Sequence, residues 1–464
     1  MIQYMDLPRH IIENYTNLEY PDISTYTTDS YYLPEHRIDL THLEVYTIDP
    51  SGSTDADDAF SVGPADSSGE WNLYVHIADP TSFFEPGDPL FQCIRKNGVT
   101  QYPSLYPARH MFPLDVVEKC SLTDGIRPAI TVIHHIKDNK PTGYKCVLST
   151  IQCRTANRYT YEQAGDILSN PKRPTHKLLT SLVNITDIMR DIRNKRHTFT
   201  SSPLYQADIH ADASGNLNYS HHSTETIKAK RLIEELAIQT NKAVAHMMYN
   251  CSRDSFISRE CSSLLSPSSM EYTGDFLMDI ITNRYTASYT NKVAQHRILN
   301  LQTYCHFTSP LRRFSDCITH FCIKNTLIQG NKTELFTAEE MLQFSNDCNK
   351  ASKKHRNASF MDKKYRMFQY IHQQLSASRP YIPVVFIHSG IKNKRFLNAH
   401  IRTIDGYHTN VVYTNVINFD DDVGTIQSLE GKLISVNLHT SNFHGQTRDG
   451  GILPDLDMAL SGRI

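Results

Sequence analysis

The sequence predicts an α+β fold with a strand-rich first part, helices after it and a small β-barrel at the C-terminus. Three observations carry this. Apolar and polar residues alternate at strand period over 45–48, 59–62, 71–78, 129–136 and 144–153. From Tyr161 the apolar spacing becomes helical, over 161–168, 177–196, 226–249 and 335–371. After about residue 378 the alternation returns, over 382–388, 396–402, 410–413 and 433–438. Strands followed by a run of helices point to α+β, and the second return to strands marks a separate unit.

The bulk properties set bounds. A chain of 464 residues is long enough for roughly two to four domains. A net charge of −2 gives no bulk basic character, so any polyanion site is a local patch. The 10 cysteines are scattered singly with no C-x-x-C pair, which argues against zinc and for reduced thiols. The start has no basic segment before an apolar run, and no stretch reaches ~18 apolar residues. The expectation is a soluble intracellular protein without membrane partners, cytoplasmic first, with nucleus or organelle left open.

In chain order, residues 1–36 are polar, tyrosine-rich and punctuated by proline, an extended lead-in. Next comes the acidic stretch 46–62, where Asp49, Asp55, Asp57 and Asp58 lie between two apolar strand segments. Pro50, Gly52 and the flanking serines form turns and fold the acids toward one another. Like charges held this close require solvent or a cation, and an all-oxygen set suits a hard ion such as Mg²⁺ or Mn²⁺. A solvated acidic loop and a phosphatase-type D-x-D remain alternatives on these residues alone. A calcium loop is excluded by spacing: Thr54 stands where its glycine belongs and Phe60 where its glutamate belongs.

The strand at 71–78 ends at Asp79-Pro80, and a long irregular passage rich in Tyr and Pro follows over 85–107, of the kind that is more often functional than idle. The two strands after it pair as a hairpin around 139–143. Among the helices, Arg190, Arg193 and Arg196 share a face of the second, a solvated stripe or an anion contact. The third carries Glu234, Glu235 and Asn241, and adjacent acids on a helix are surface residues unless one faces a polar cleft. Thr308-Ser-Pro310 reads as a helix start that puts Arg312 and Arg313 in the first turn, where a phosphate or the acidic cluster would meet them. The tail has four of the five strands of an oligonucleotide-binding type of barrel.

Together these stretches resemble the catalytic RNB domain of the ribonuclease II/R family. The resemblance rests on D-x(5)-D-x-D-D after an apolar strand, on Val75-His-Ile-Ala-Asp-Pro80, and on His306-Phe-Thr-Ser-Pro-Leu-Arg-Arg-Phe-Ser-Asp316. Met111-Phe-Pro-Leu114, Tyr161-Glu-Gln163 and Leu232-Ile-Glu-Glu-Leu-Ala237 with Asn241 fit it in the same order. The resemblance runs from about 37 to 371 and implies an RNB domain over 37–377, a mixed sheet surrounded by helices with a central RNA channel. Residues 378–464 follow as an OB-like RNA-binding barrel. It implies a 3′→5′ exoribonuclease that degrades single-stranded RNA, with Mg²⁺ (or Mn²⁺) held by Asp49, Asp55, Asp57 and Asp58. Asp57 takes the place of the most sensitive acid and Arg312 that of the arginine clamping the scissile phosphate, with Arg313 beside it. Tyr102 and Phe199 stand where aromatics pack on nucleotides, and Glu234 where an acid contacts the nucleotide at the channel end. About 36 residues precede the resemblance, so the cold-shock-type barrels of the family are expected to be missing, and a protein partner is expected to replace them. A non-catalytic RNA-binding adaptor that keeps the fold is the alternative; the presence of all four acids argues against it.

Overall fold

The computed structural model of the chain describes residues 15, 18–22, 33–194, 207–211, 217–252, 256–266, 269–270, 284–329, 334–376, 382–392, 396–403, 408–413, 433–439, 445–446, 452–453 and 457–463. The strand-rich part builds β1 (Arg37–Asp39), β2 (Thr47–Asp49), β3 (Asp58–Val62), β4 (Trp71–Ala78), β5 (Gly125–Lys137) and β6 (Lys140–Cys153). Five of these form one sheet in the order β1-β6-β5-β4-β3. It is mixed, because β1 runs parallel to β6 while the remaining pairs are antiparallel. β2 stands apart and pairs in parallel with β7 (Arg158–Thr160). The acidic turn is thus the passage from β2 to the edge strand β3, closed by reciprocal backbone hydrogen bonds of 2.9 Å between Tyr46 and Phe60.

Strand period gives way to helix where a cap is available. α3 (Tyr161–Ser169) opens on a capping box in which Thr160 and Gln163 satisfy each other's backbone N–H groups. It crosses α5 (Thr224–Ser252) at Gly165, where a Cβ would lie 2.6 Å from Thr226 Oγ1 and 2.8 Å from its backbone nitrogen. Only glycine permits that approach. α4 (His176–Asn194) packs beside both. Two short antiparallel pairs flank them, β8 (Ala207–Ala211) with β9 (Leu217–His221) and β10 (Ser258–Ser263) with β11 (Tyr285–Thr290).

The two longest C-terminal helices are α6 (Phe314–Gln329) and α7 (Ala338–Ser376). Phe91 packs edge-on against Phe314 at 5.4 Å and against Phe344 at 5.8 Å, which fixes the start of α6 within the core. Such pairs add ~0.5–1.5 kcal/mol each beyond burial.

Three local expectations are corrected and one helix is added. The passage 85–107 is not irregular throughout. It contains α1 (Pro89–Asn97), with Pro at the first helical positions and Gly98 as its C-cap. A further helix, α2 (Leu114–Cys120), carries no period long enough to read. The hairpin turns at Asp138 and Asn139, both at positive φ (49° and 58°), so Lys140 and Pro141 already belong to β6. Lastly, α6 begins at Phe314, not near Pro310, so Arg312 and Arg313 precede the helix.

The C-terminal unit supplies the fifth strand. β12 (Ile382–Lys392), β13 (Phe396–Thr403), β14 (His408–Tyr413), β15 (Leu433–His439) and β18 (Asp457–Arg463) form one sheet in the order β14-β13-β12-β15-β18. β16 (Gly445–Gln446) and β17 (Ile452–Leu453) pair separately. Among the described residues β14 and β18 approach each other but no ladder joins them, so the expected OB-like barrel is described as a five-stranded sheet without a closing ladder.

Candidate active site

The four acids hang on rigid supports. Asp49 ends β2, where it pairs with Thr160, and Asp58 opens β3, where it pairs with Ile77. Asp57 is 3% exposed, and its carbonyl accepts the Ala78 N–H at 2.8 Å. Burial raises the carboxyl of Asp49 to about 7, helped by the charge of Asp58. Burial also lifts Asp58 to about 6, against the pull of Arg312 and Arg313. It pushes Asp57 well above the ordinary carboxylate range, opposed by Arg312 and the Leu311 N–H. The turn therefore concentrates negative charge in a place that water does not fully solvate.

Arg312 comes from 255 positions away to meet it. Asp57 Oδ1 accepts the Leu311 N–H at 2.8 Å and its Oδ2 accepts Arg312 Nε at 3.0 Å. Arg312 Nη2 donates to Ser309 Oγ at 2.9 Å, while the side chain keeps 45% of its surface exposed. These contacts explain why α6 starts late. A turn does form, with the Arg313 N–H on the Ser309 carbonyl at 3.0 Å, but the next amide is diverted: the Phe314 N–H goes to the Gly98 carbonyl at 2.9 Å instead of to Pro310, while Asp57 takes the Leu311 N–H and Asp316 the Ser309 N–H. Arg313 is committed as well. Its Nε and Nη2 grip the buried Asp316 at 2.9 and 2.8 Å, so it braces the loop.

Tyr102 reaches the acids from a third segment of the chain. Gly98 sits at φ +72°, and a Cβ there would lie 2.2 Å from the Ala351 Cβ of α7. The chain after it runs along the arginine segment, with the Thr100 N–H donating to the Arg312 carbonyl at 3.0 Å. Tyr102 then donates its hydroxyl to Asp55 Oδ2 at 2.8 Å and leaves 43% of its surface exposed. Two residues on, Ser104 N–H donates to the buried Asp362 of α7 at 2.7 Å, which also accepts the Tyr15 hydroxyl at 2.7 Å. The segment that carries Tyr102 is thereby anchored at both ends.

Asp49, Asp55, Asp57, Asp58, Arg312 and Tyr102 thus share one site. Glu234 lies on α5, where reduced hydration and then Glu235 push its carboxyl up. Glu235 is the buried member of that pair, 1% exposed and gripped by Arg193 Nη2 at 2.8 Å. The Arg190–Arg193–Arg196 stripe is therefore not uniformly solvated at Arg193. Phe199 and Arg196 lie outside the described residues. Two residues carry more than the sequence reading gave them. Burial and then the charges of Asp58 and Asp49 raise the Tyr161 phenol, while Arg312 lowers it, so this ring stands in the field of the cluster. The buried Asn241 side chain accepts the Phe307 and Thr308 N–H groups at 2.8 and 3.2 Å and donates to the Tyr304 hydroxyl at 3.0 Å, holding the chain that leads to Arg312.

Among the described residues no group of three His, Cys, Asp or Glu side chains is arranged to hold a metal ion as it stands. The donor chemistry nevertheless fits one. The four carboxylates offer only oxygen, Asp49 Oδ2 is buried without a hydrogen-bond partner, and Asp49, Asp57 and Asp58 are anions at a cost. A hard divalent cation relieves all three.

A family model for the RNB domain matches residues 37–329. Exoribonuclease 2 of Vibrio vulnificus (strain YJ016) is 25% identical over 338 residues, covering 63% of this chain and 50% of its own. Ribonuclease R of Escherichia coli (strain K12) is 27% identical over 371 residues, covering 68% of this chain and 45% of its own. The chain thus spans about half the length of the curated relatives it matches. Among solved structures, Mycoplasma genitalium RNase R in complex with ribose methylated single-stranded RNA superposes with a TM-score of 0.76 at 18% identity, over 97% of this chain and 77% of that one. Yeast Ssd1, titled a pseudonuclease, shares the fold at a TM-score of 0.64 and 16% identity, over 89% of this chain and 54% of that one. With the family model covering more than half of its residues, this chain belongs to the RNB domain family.

Proposed function

We propose that the protein is a hydrolytic 3′→5′ exoribonuclease that releases nucleoside 5′-monophosphates from single-stranded RNA with the help of Mg²⁺, or Mn²⁺ in its place. The observation that carries this reading is the double grip of Asp57 on the Leu311 N–H and on Arg312, which joins a half-exposed arginine to the buried acid of the turn. Relatives named Exoribonuclease 2 and Ribonuclease R support it. In the proposed reaction water attacks the last phosphorus and the bond to the 3′ oxygen breaks. The shortened RNA keeps a 3′-hydroxyl and the nucleotide leaves with a 5′-phosphate.

Asp49, Asp55, Asp57 and Asp58 would hold the cation. It would supply charge neutralisation on the phosphate and a water acidic enough to be a nucleophile at neutral pH. Arg312 would bind the non-bridging phosphate oxygens with its free guanidinium face, a contact that strengthens as charge builds up. The exposed ring of Tyr102 would stack on the terminal base, and Phe199 would add a second platform; stacking of this kind is worth ~1–3 kcal/mol per base and ignores sequence. Glu234 would contact the ribose end of the nucleotide, and a contact there to the 2′-hydroxyl favours RNA over DNA. Arg313 would act on RNA through the loop it braces. We assign residues 37–377 to the catalytic domain, residues 378–464 to an OB-like RNA-binding unit and 1–36 to a lead-in, with a partner protein feeding RNA and an intracellular, cytoplasmic site of action. The likeness to Ssd1 in fold keeps an inactive RNA-binding adaptor as the second reading. Uniformly labelled single-stranded RNA, digested with Mg²⁺ and resolved by chromatography, tests the chemistry. The reading predicts nucleoside 5′-monophosphates; 3′-phosphates, or bound but intact RNA, would refute it.

A further inference from the structure

Resting on the reading that the acidic turn takes a divalent cation, we propose that His110 adds an imidazole nitrogen to that cation beside Asp55. The result is a mixed nitrogen–oxygen site that takes Mn²⁺ in preference to Mg²⁺. His110 is 6% exposed, and its Nδ1 is buried with no hydrogen-bond partner. That atom faces Asp55 Oδ2 across 3.8 Å. The gap is too long for a hydrogen bond. It lies within ion-pair range and is equally the spacing of two donors that share one ion, since bonds of ~2.1 Å put their donor atoms ~3–4 Å apart.

The ring is held in place by its backbone. The His110 carbonyl accepts the Tyr20 hydroxyl at 2.5 Å, the preceding Arg109 N–H donates to the Gln101 carbonyl at 2.8 Å, and the following Met111 N–H donates to Thr100 Oγ1 at 2.9 Å. A loop pinned on both sides of the residue holds a buried ring nitrogen, without a hydrogen bond, against a carboxylate. Leaving such a group unsatisfied costs ~1–3 kcal/mol, which a ligand would recover. The described residues provide no third side chain already in place, so the remaining positions fall to solvent, to substrate oxygens or to acidic-turn carboxylates that rotate in. Mg²⁺ keeps to oxygen donors and sheds water reluctantly, whereas an imidazole suits a transition ion. The histidine therefore shifts the preference toward Mn²⁺.

The test uses the full chain loaded with Mn²⁺ and electron spin-echo envelope modulation, with histidine at natural abundance and labelled with ¹⁵N. Calorimetric titration of Mn²⁺ and Mg²⁺ into the wild type, His110→Ala and Asp49→Asn/Asp58→Asn runs alongside. The proposal expects ¹⁴N modulation in the wild type that changes with the label and vanishes in His110→Ala. It also expects Mn²⁺ affinity to fall tenfold or more in that variant, with Mg²⁺ affinity changed by less than about threefold. Mn²⁺ bound by the wild type without histidine modulation overturns the proposal and leaves the acidic-turn reading standing, whatever the variant's folding. Mn²⁺ binding that the two aspartate substitutions do not weaken overturns both.

Discussion

Replacing Arg312 with lysine separates the geometry of the clamp from its charge. The guanidinium makes two directed bonds, Nε to Asp57 at 3.0 Å and Nη2 to Ser309 Oγ at 2.9 Å, and leaves its outer face open. An ammonium on a shorter stem keeps the ion pair with Asp57 but loses the fork and the second donor. On the folding side, one part-buried hydrogen bond is lost and the Leu311 N–H still satisfies Asp57, so stability falls by only about 1 kcal/mol. On the catalytic side, the loss of one directed donor to a developing phosphate charge costs ~2.7–4 kcal/mol, or about 10²–10³ in turnover. Arg312→Lys should therefore melt near the wild type and bind RNA within a few fold, while single-turnover shortening of a 5′-labelled RNA slows by two orders of magnitude or more. Turnover within threefold of wild type would refute the reasoning, because a point charge would then serve as well as the fork.

Three further outcomes follow from the same structure. Tyr102→Phe removes only the bond to Asp55 and should cost less than about tenfold in kcat/KM, whereas Tyr102→Ala removes the stacking face and should cost ~1–3 kcal/mol in RNA affinity, read by fluorescence anisotropy. Gly98→Ala combines a positive φ with a Cβ placed 2.2 Å from that of Ala351, so differential scanning should show a loss of about 2–4 kcal/mol together with reduced nuclease activity. His76 is buried between Thr131 Oγ1 and Ser61 Oγ at 2.8 and 2.9 Å, and burial lowers its pKa to about 3. The unfolded chain takes up that proton near pH 6.5 and the folded one does not, so stability is full above 6.5 and falls as pH drops toward 3. The loss is ~2.7 kcal/mol by pH 4.5, and urea unfolding of His76→Gln should show a shallower slope over that window.

What could be read from the sequence follows the range of the interactions. The acidic turn is a local pattern, four carboxylates and four turn formers within ten residues, and it folds where that pattern puts it. Helices α3, α4, α5 and α7 are long enough for their period to stand out. α1 was hidden because Pro89 and Gly98, its start and its cap, read as loop punctuation. The late start of α6 was out of reach for a physical reason: the Phe314 N–H is taken by the carbonyl of Gly98, a residue more than 200 positions away. Arg313 and Asp316 are three apart, so their pairing was within reach of a local reading. The burial of Glu235 rather than Glu234 depends on Arg193 from another helix, and the position of the His110 ring depends on the fold that turns it toward Asp55. Neither leaves a trace in the local sequence.

In this reading the four acids and Arg312 act together to shorten RNA from its 3′ end. That joint action is tested most directly by incubating the protein with a 5′-labelled single-stranded RNA and the matching DNA, with Mg²⁺, with EDTA, and with Asp57→Asn in place of the wild type. The account predicts a ladder that shrinks from the 3′ end on RNA only, needs Mg²⁺ or Mn²⁺, and is absent in the variant. RNA that is bound but never shortened, or shortening that Asp57→Asn leaves intact, would contradict it.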